Sequence, residues 1–173
     1  DPAVAAALEV VEPPRVVDVR LNGSQWAAAV DVADLVENGD QFKPVFIQGA
    51  DTIEIEFDSP VTNVTEHDLA LRGFQNVELL PDGFVFTPGS TTASWSFSGG
   101  IPSDKYVLAL AASATDLNGT FELDGEWSNI ATGDANALPT WDDFVDDATQ
   151  TLITGNGVAG GVFEFLFSYL PGA

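Results

Sequence analysis

DTIEIEFDSP, residues Asp51 to Pro60, alternates strictly: Ile53, Ile55 and Phe57 fall on one side of an extended chain and Glu54 and Glu56 on the other. Successive side chains of a strand point to opposite faces, so this pattern predicts a half-buried strand with one apolar and one wet face. The same period recurs outward from it. VVDVRLNG, from Val16, alternates and stops at Asn22-Gly23, a turn signal. HDLALRG, NVELL, GFVFTP, ASWSFSG and KYVLALAAS follow at short intervals, with Pro81-Asp82-Gly83 and Ser98-Gly99-Gly100 between them. Short strands at such spacing predict an antiparallel sandwich or barrel. The final segment, VFEFLFSYLP, carries Phe163, Phe165, Phe167 and Tyr169 and reads as a long apolar strand, buried or at an interface.

Two segments read as helices. In SQWAAAVDVADLVENG, Ser24 to Gly39, Ser24 is a candidate cap, Trp26, Val30 and Ala33 share a face, and Asn38-Gly39 ends the segment. In PTWDDFVDDATQTLIT, Trp141, Phe144, Val145, Ala148 and Leu152 fall at helical spacing, and Thr140 with Asp143 resembles a capping box. Residues 1–15 are an Ala/Val arm closed by Pro13-Pro14, a stiff linker into a domain over residues 16–173. The opening Asp1 and the lack of a basic leader read as a processed form or an excised segment.

The chain has 173 residues, enough for one domain with a real core. Twenty-seven acidic against five basic residues give a formal net charge of −22. That balance argues against nucleic acid and anionic membrane surfaces as partners, since both favour clustered Lys or Arg. It suits high salt, bound cations or a crowded cell surface, where divalent cations relieve self-repulsion. The absence of Cys excludes disulfides and thiolate chemistry. No apolar run approaches the length that spans a bilayer.

SATDLNGTFELDGEW, Ser113 to Trp127, gathers Asp116, Asn118, Glu122, Asp124 and Glu126 around two glycines. Asp116, Asn118 and Asp124 could offer a Ca²⁺ ion the hard oxygen ligands it takes. An EF-hand counted from Asp116 fails, because its sixth position is Phe121 and its twelfth Trp127. The competing reading is two turns, with an Asx-type cap at Asp116 and Gly119 supplying positive φ. Both stay open at this stage.

Nothing marks a catalytic pair among so many carboxylates. His67, the one histidine, lies between Glu66 and Asp68 and reads as a solvated turn residue. No G-x-S-x-G elbow is present, and paired-His zinc motifs need a second His. Trp95, Trp127 and Trp141 raise a glycan-binding alternative, in which flat rings stack on sugars; the competing role is core plugging. The sequons at Asn22, Asn63 and Asn118 fall at turn-like positions. The two ends suggest assembly by strand or arm exchange, through Val4, Leu8 and Val10 at the front and Phe163, Phe165 and Phe167 at the back.

IEIEFDSPVTNVTEHDLALRG resembles the strand, turn and strand of bacterial Ig-like domains. YVLALAASATDLNGTFELDGEW, then TGNGVAGGVFEFLF and a terminal LPG, are similar to domains of large exported proteins of planctomycete-type bacteria, in which a dockerin-like calcium repeat often follows. Trp26 and the ASWSFSG strand fit that pattern, which covers roughly residues 15–173. The late glycine-rich turn departs from it: Asn156 and Val162 stand where relatives carry Asp, which weakens any cation site there. The chain also stops before any dockerin-like repeat, so docking of that kind is not carried over.

The expected fold is mainly β, an Ig-like antiparallel β-sandwich with one or two short helices inserted in loops. The resemblance implies an extracellular or cell-surface location and no assigned chemistry. The expected role is a non-enzymatic structural or adhesive domain of a surface, matrix or filament protein. Its expected partners are itself or other surface proteins, with Ca²⁺ as the candidate cofactor. The alternative is a carbohydrate-binding module.

Overall fold

The computed structural model describes residues 12–34, 44–126 and 155–172. These form ten strands: β1 (Val16–Asn22), β2 (Val30–Asp34), β3 (Thr52–Phe57), β4 (Val61–Thr62), β5 (Leu69–Gly73), β6 (Gly83–Val85), β7 (Thr92–Ser96), β8 (Asp104–Leu110), β9 (Thr115–Asp116) and β10 (Phe163–Tyr169). A five-stranded sheet runs β2-β1-β3-β7-β6, a three-stranded sheet runs β10-β8-β5, and β4 pairs with β9. Every named strand pair is antiparallel. The protein is a mainly β, sandwich-like fold, as the alternating segments predict.

The founding stretch sits in the middle of the larger sheet. Ile53, Ile55 and Phe57 of β3 are buried, while Glu54 and Glu56 lie on the outer face. β1 and β7 flank β3 and repeat the rule, burying Val19 and Leu21, and Ala93 and Trp95. The smaller sheet contributes Leu69, Leu71, Tyr106, Leu108, Leu110 and the β10 aromatics to the same core cluster. Phe163, Phe165 and Phe167 stack along β10 with ring centroids 6.4 Å apart at each step. Burying each such ring contributes roughly 1.5–3 kcal/mol. Polar tips are satisfied: Trp95 Nε1 donates to Thr65 O (3.2 Å) and Tyr106 Oη to Pro102 O (2.6 Å).

One expected element is corrected. Residues 30–34, read as part of a helix from Ser24 to Gly39, form strand β2 on the free side of β1. The Ala run and the Trp26–Val30 spacing favoured a helix, but Val30, Asp31 and Val32 also alternate, and β1 offers a ladder that a lone helix turn cannot match. NVELL contributes one bridge, Leu79 to Leu71, instead of a strand. A short 3₁₀ turn at Glu66–Asp68 carries His67, which is exposed as expected. The helix expected from Thr140 to Leu152 lies outside the described residues. Of the expected linker, Pro14 is tied into the domain by accepting the Asp124 N–H (2.8 Å), and Arg15 by Asp58.

Candidate functional site

The acidic stretch folds as two carboxylate-centred turns. Asp116, at the end of β9, accepts the N–H groups of Thr120 (2.6 Å) and Phe121 (2.8 Å) on Oδ1. Gly119, at φ 69°, closes that turn onto the Asp116 carbonyl (2.9 Å). Only glycine holds a positive φ without strain, so the sequence Asp-Leu-Asn-Gly builds this loop locally. Asp116 Oδ2 is buried and has no partner among the described residues. Asn118 is exposed at the tip.

Asp124 is 3% exposed and fastens a different loop. Its Oδ1 accepts the Asn156 N–H (3.0 Å) and its Oδ2 the Gly157 N–H (2.7 Å). Gly155 and Gly157 have φ values of 81° and 88°, which turns consecutive N–H groups toward the carboxylate. Glu126 adds a hydrogen bond from the Asn156 amide and one from Gly155 N–H to its own carbonyl (2.7 Å). Gly125 is forced to be glycine, because a Cβ there would meet Gly161 O and, at 2.6 Å, Phe163 N.

At Asp124 the carboxylate is engaged by backbone donors. The glycine-rich turn presents donors, the carboxylate answers them, and Arg15 lines the adjoining hollow of about 230 Å³ with Glu12, Pro13, Asp58, Asp124, Gly155 and Gly157. Asp116 and Asp124 therefore serve separate turns. Among the described residues no group of three or more His, Asp or Glu is arranged to hold a metal.

The aromatic expectations sort by burial. Trp95 is fully buried on β7 and packs on Phe84 at 5.3 Å, so it cannot stack on a sugar. Phe163, Phe165 and Phe167 are likewise fully buried in the chain's own core, so their side chains offer no assembly surface in this fold. Trp127, Trp141, Val4, Leu8 and Val10 lie outside the described residues.

A second fastened loop went unread in the sequence. Asp104, 5% exposed at the start of β8, accepts Gln75 N–H (2.8 Å), Asn76 N–H (2.7 Å) and Asn76 Nδ2 (3.0 Å) on Oδ2, and Lys105 N–H (2.8 Å) on Oδ1. Burial alone would raise its pKa, yet the donors of Asn76, Gln75 and Lys105 hold it below the ordinary carboxylate value. The turn so clamped displays Phe74, 88% exposed, beside a hollow of about 360 Å³ lined by Gln75, Ser103, Asp104, Lys105 and Leu170. Gly73 and Asn76 were the turn signals available; nothing local announces Asp104 as their partner. Compared with protein-family models, curated proteins and solved structures, the chain matches none.

Proposed function

We propose that this chain is a non-enzymatic structural or adhesive domain of an exported surface, matrix or filament protein, which associates with copies of itself once its charge is screened. The observation that carries this reading is the display of exposed apolar side chains from the β5–β6 connection and the end of β6. Phe74 and Val77 are 88% and 87% exposed, with Leu80 and Val85 at 66% and 73%. The fold buries the rings of Trp95, Tyr106, Phe163, Phe165 and Phe167, yet holds Phe74 in water on a turn clamped by a buried carboxylate. Exposed apolar surface of this kind marks association sites. The acid side chains support the same role: Asp104, Asp116 and Asp124 hold loops in place, a fastening that needs no disulfide.

The net charge of −22 opposes self-contact at low ionic strength. Salt or Ca²⁺ favours association by screening and by bridging acidic surfaces, and the resemblance to exported bacterial surface domains is consistent with that setting. Among the described residues no helix is long and apolar enough to cross a membrane.

The test is sedimentation at low salt, at high salt and with calcium, for the wild type and for the Phe74→Ser/Val77→Ser pair. Association that rises with salt or calcium and is lost in the pair, at unchanged thermal stability, supports the proposal. A wild type that stays monomeric throughout overturns it. The glycan-binding alternative loses Trp95, which is buried, and the hollow beside Phe74 offers a different platform for it, with Phe74 as the stacking ring and Gln75 and Ser103 as polar contacts. A monomer that binds a glycan array and loses binding on Phe74→Ser would favour it.

A further inference from the structure

The outer face of the larger sheet carries a charge cluster at its β2 edge. On β1, Arg20 Nη1 pairs with Asp18 (2.8 Å) and, across to β3, with Glu56 (2.8 Å), while its Nε faces Glu54 (3.4 Å). Asp31 of β2 lies directly opposite Arg20 in the register, and Asp34 is the register partner of Asp18. The ladder is irregular between Val19 and Arg20, where Ala33 and Asp31 are the successive partners and buried Val32 is the extra residue. Four carboxylates, Asp18, Asp31, Glu54 and Glu56, thus crowd one guanidinium. Asp18 Oδ1 is buried and meets no hydrogen-bond donor among the described residues.

We propose that Asp18 and Asp31 form a proton-operated latch: one shared proton seals edge strand β2 onto β1, and its loss sets two carboxylates against each other and loosens β2. The shared proton supplies the one donor that the buried oxygen lacks, and it removes a negative charge that Arg20 is too heavily committed to offset. Among the described strands β2 is the outermost on its side of the sheet. Its release uncovers the main-chain edge of β1, a template for strand addition by another chain.

Burial pushes the Asp18 carboxyl up to about 7, the Asp31 charge pushes it the same way, and Arg20 pulls against both. Burial also works against the charge on Arg20, but Glu56 and Asp18 outweigh it and raise its pKa, so Arg20 stays cationic. The closed latch therefore binds more protons than the open one. Its stability is complete below the ordinary aspartate value of about 3.9, falls as pH rises, and levels off above about 7. Because the two carboxyls interact, the midpoint belongs to the pair.

The test is a carboxyl-carbon NMR titration combined with amide exchange of β2, corrected for the intrinsic pH dependence of exchange. One proton should leave the pair near neutrality. The opening constant of β2 should rise by up to about tenfold per pH unit toward neutrality and then level off, while β3 and β7 stay closed. Asp31→Asn, at an exposed position, removes the charge that opposes Asp18 but leaves its burial, so it should lower the Asp18 midpoint part of the way and weaken the pH response of β2. Asp18→Asn should keep β2 closed at all pH values. Titration of Asp18 with the ordinary carboxylates, opening of β2 in step with β3, or a wild-type pH response in Asp31→Asn would each overturn the latch.

Discussion

Replacing Asp124 with Asn separates the two meanings of the acidic stretch. The substitution keeps the shape of the side chain and removes one acceptor and the charge. In the wild type both oxygens accept backbone N–H groups, from Asn156 at 3.0 Å and Gly157 at 2.7 Å, at a site 3% exposed. An amide satisfies one of these donors and turns its own NH₂ toward the other. The orphaned buried donor costs about 1–3 kcal/mol, and the remaining bond loses roughly 1 kcal/mol of charge assistance. At roughly 2–4 °C of Tm per kcal/mol for a chain of this size, the melting temperature should fall by about 5–15 °C. Thermal unfolding followed by circular dichroism in EGTA and in calcium is the assay, and the deficit should be the same in both. A mutant that matches the wild type in EGTA and falls behind only in calcium would make Asp124 a cation ligand and refute the reasoning.

Other consequences are as direct. Asp104→Ala strips four acceptor contacts from the 74–76 turn and from Lys105, and should destabilise the fold by roughly 3–5 kcal/mol in urea titration. Because Asp104 titrates below its ordinary value, its contribution is present above pH of about 4 and lost as pH falls through the folded pKa, so mutant and wild type should converge in acid melts. Phe165→Ala removes a fully buried ring between two stacked neighbours and should cost about 3–5 kcal/mol with no change in oligomeric state at equal folded fraction. Gly73→Ala would drive a Cβ into the Asp104 carboxylate and to 2.7 Å from Asn76 O, so it should lower stability by roughly 1–3 kcal/mol and unfasten Phe74, seen as lost protection of the Gln75 and Asn76 amides.

Much of the fold is legible because strand burial has a period of two. TIEIEF becomes β3 with Ile53, Ile55 and Phe57 inward as predicted, and TASWS and VVDVRLN become β7 and β1, although alternation alone left the facing of Trp95 open. β10 is equally legible from Phe163, Phe165, Phe167 and Tyr169 at every second position, whereas the burial of Leu166 and Ser168 on its opposite face has no such signal. β2 was misread because five residues carry too little period to outweigh an Ala run, and its partner strand decided the matter. The carboxylate fasteners were least visible. Asp116 binds its own turn and was recognisable from Asp-Leu-Asn-Gly, whereas Asp104 and Asp124 hold loops 28 to 33 residues away in sequence. Such pairings follow from the register of the sheets, which composition does not encode.

Buried aspartates hold the loops of this domain by accepting backbone N–H groups. Amide hydrogen exchange at neutral pH in EGTA tests it at Gln75, Asn76, Thr120, Phe121, Asn156 and Gly157. The account predicts that all six are protected well beyond exposed loop amides and that calcium adds nothing. Free exchange of these amides in EGTA, with protection appearing only when calcium is supplied, would contradict it.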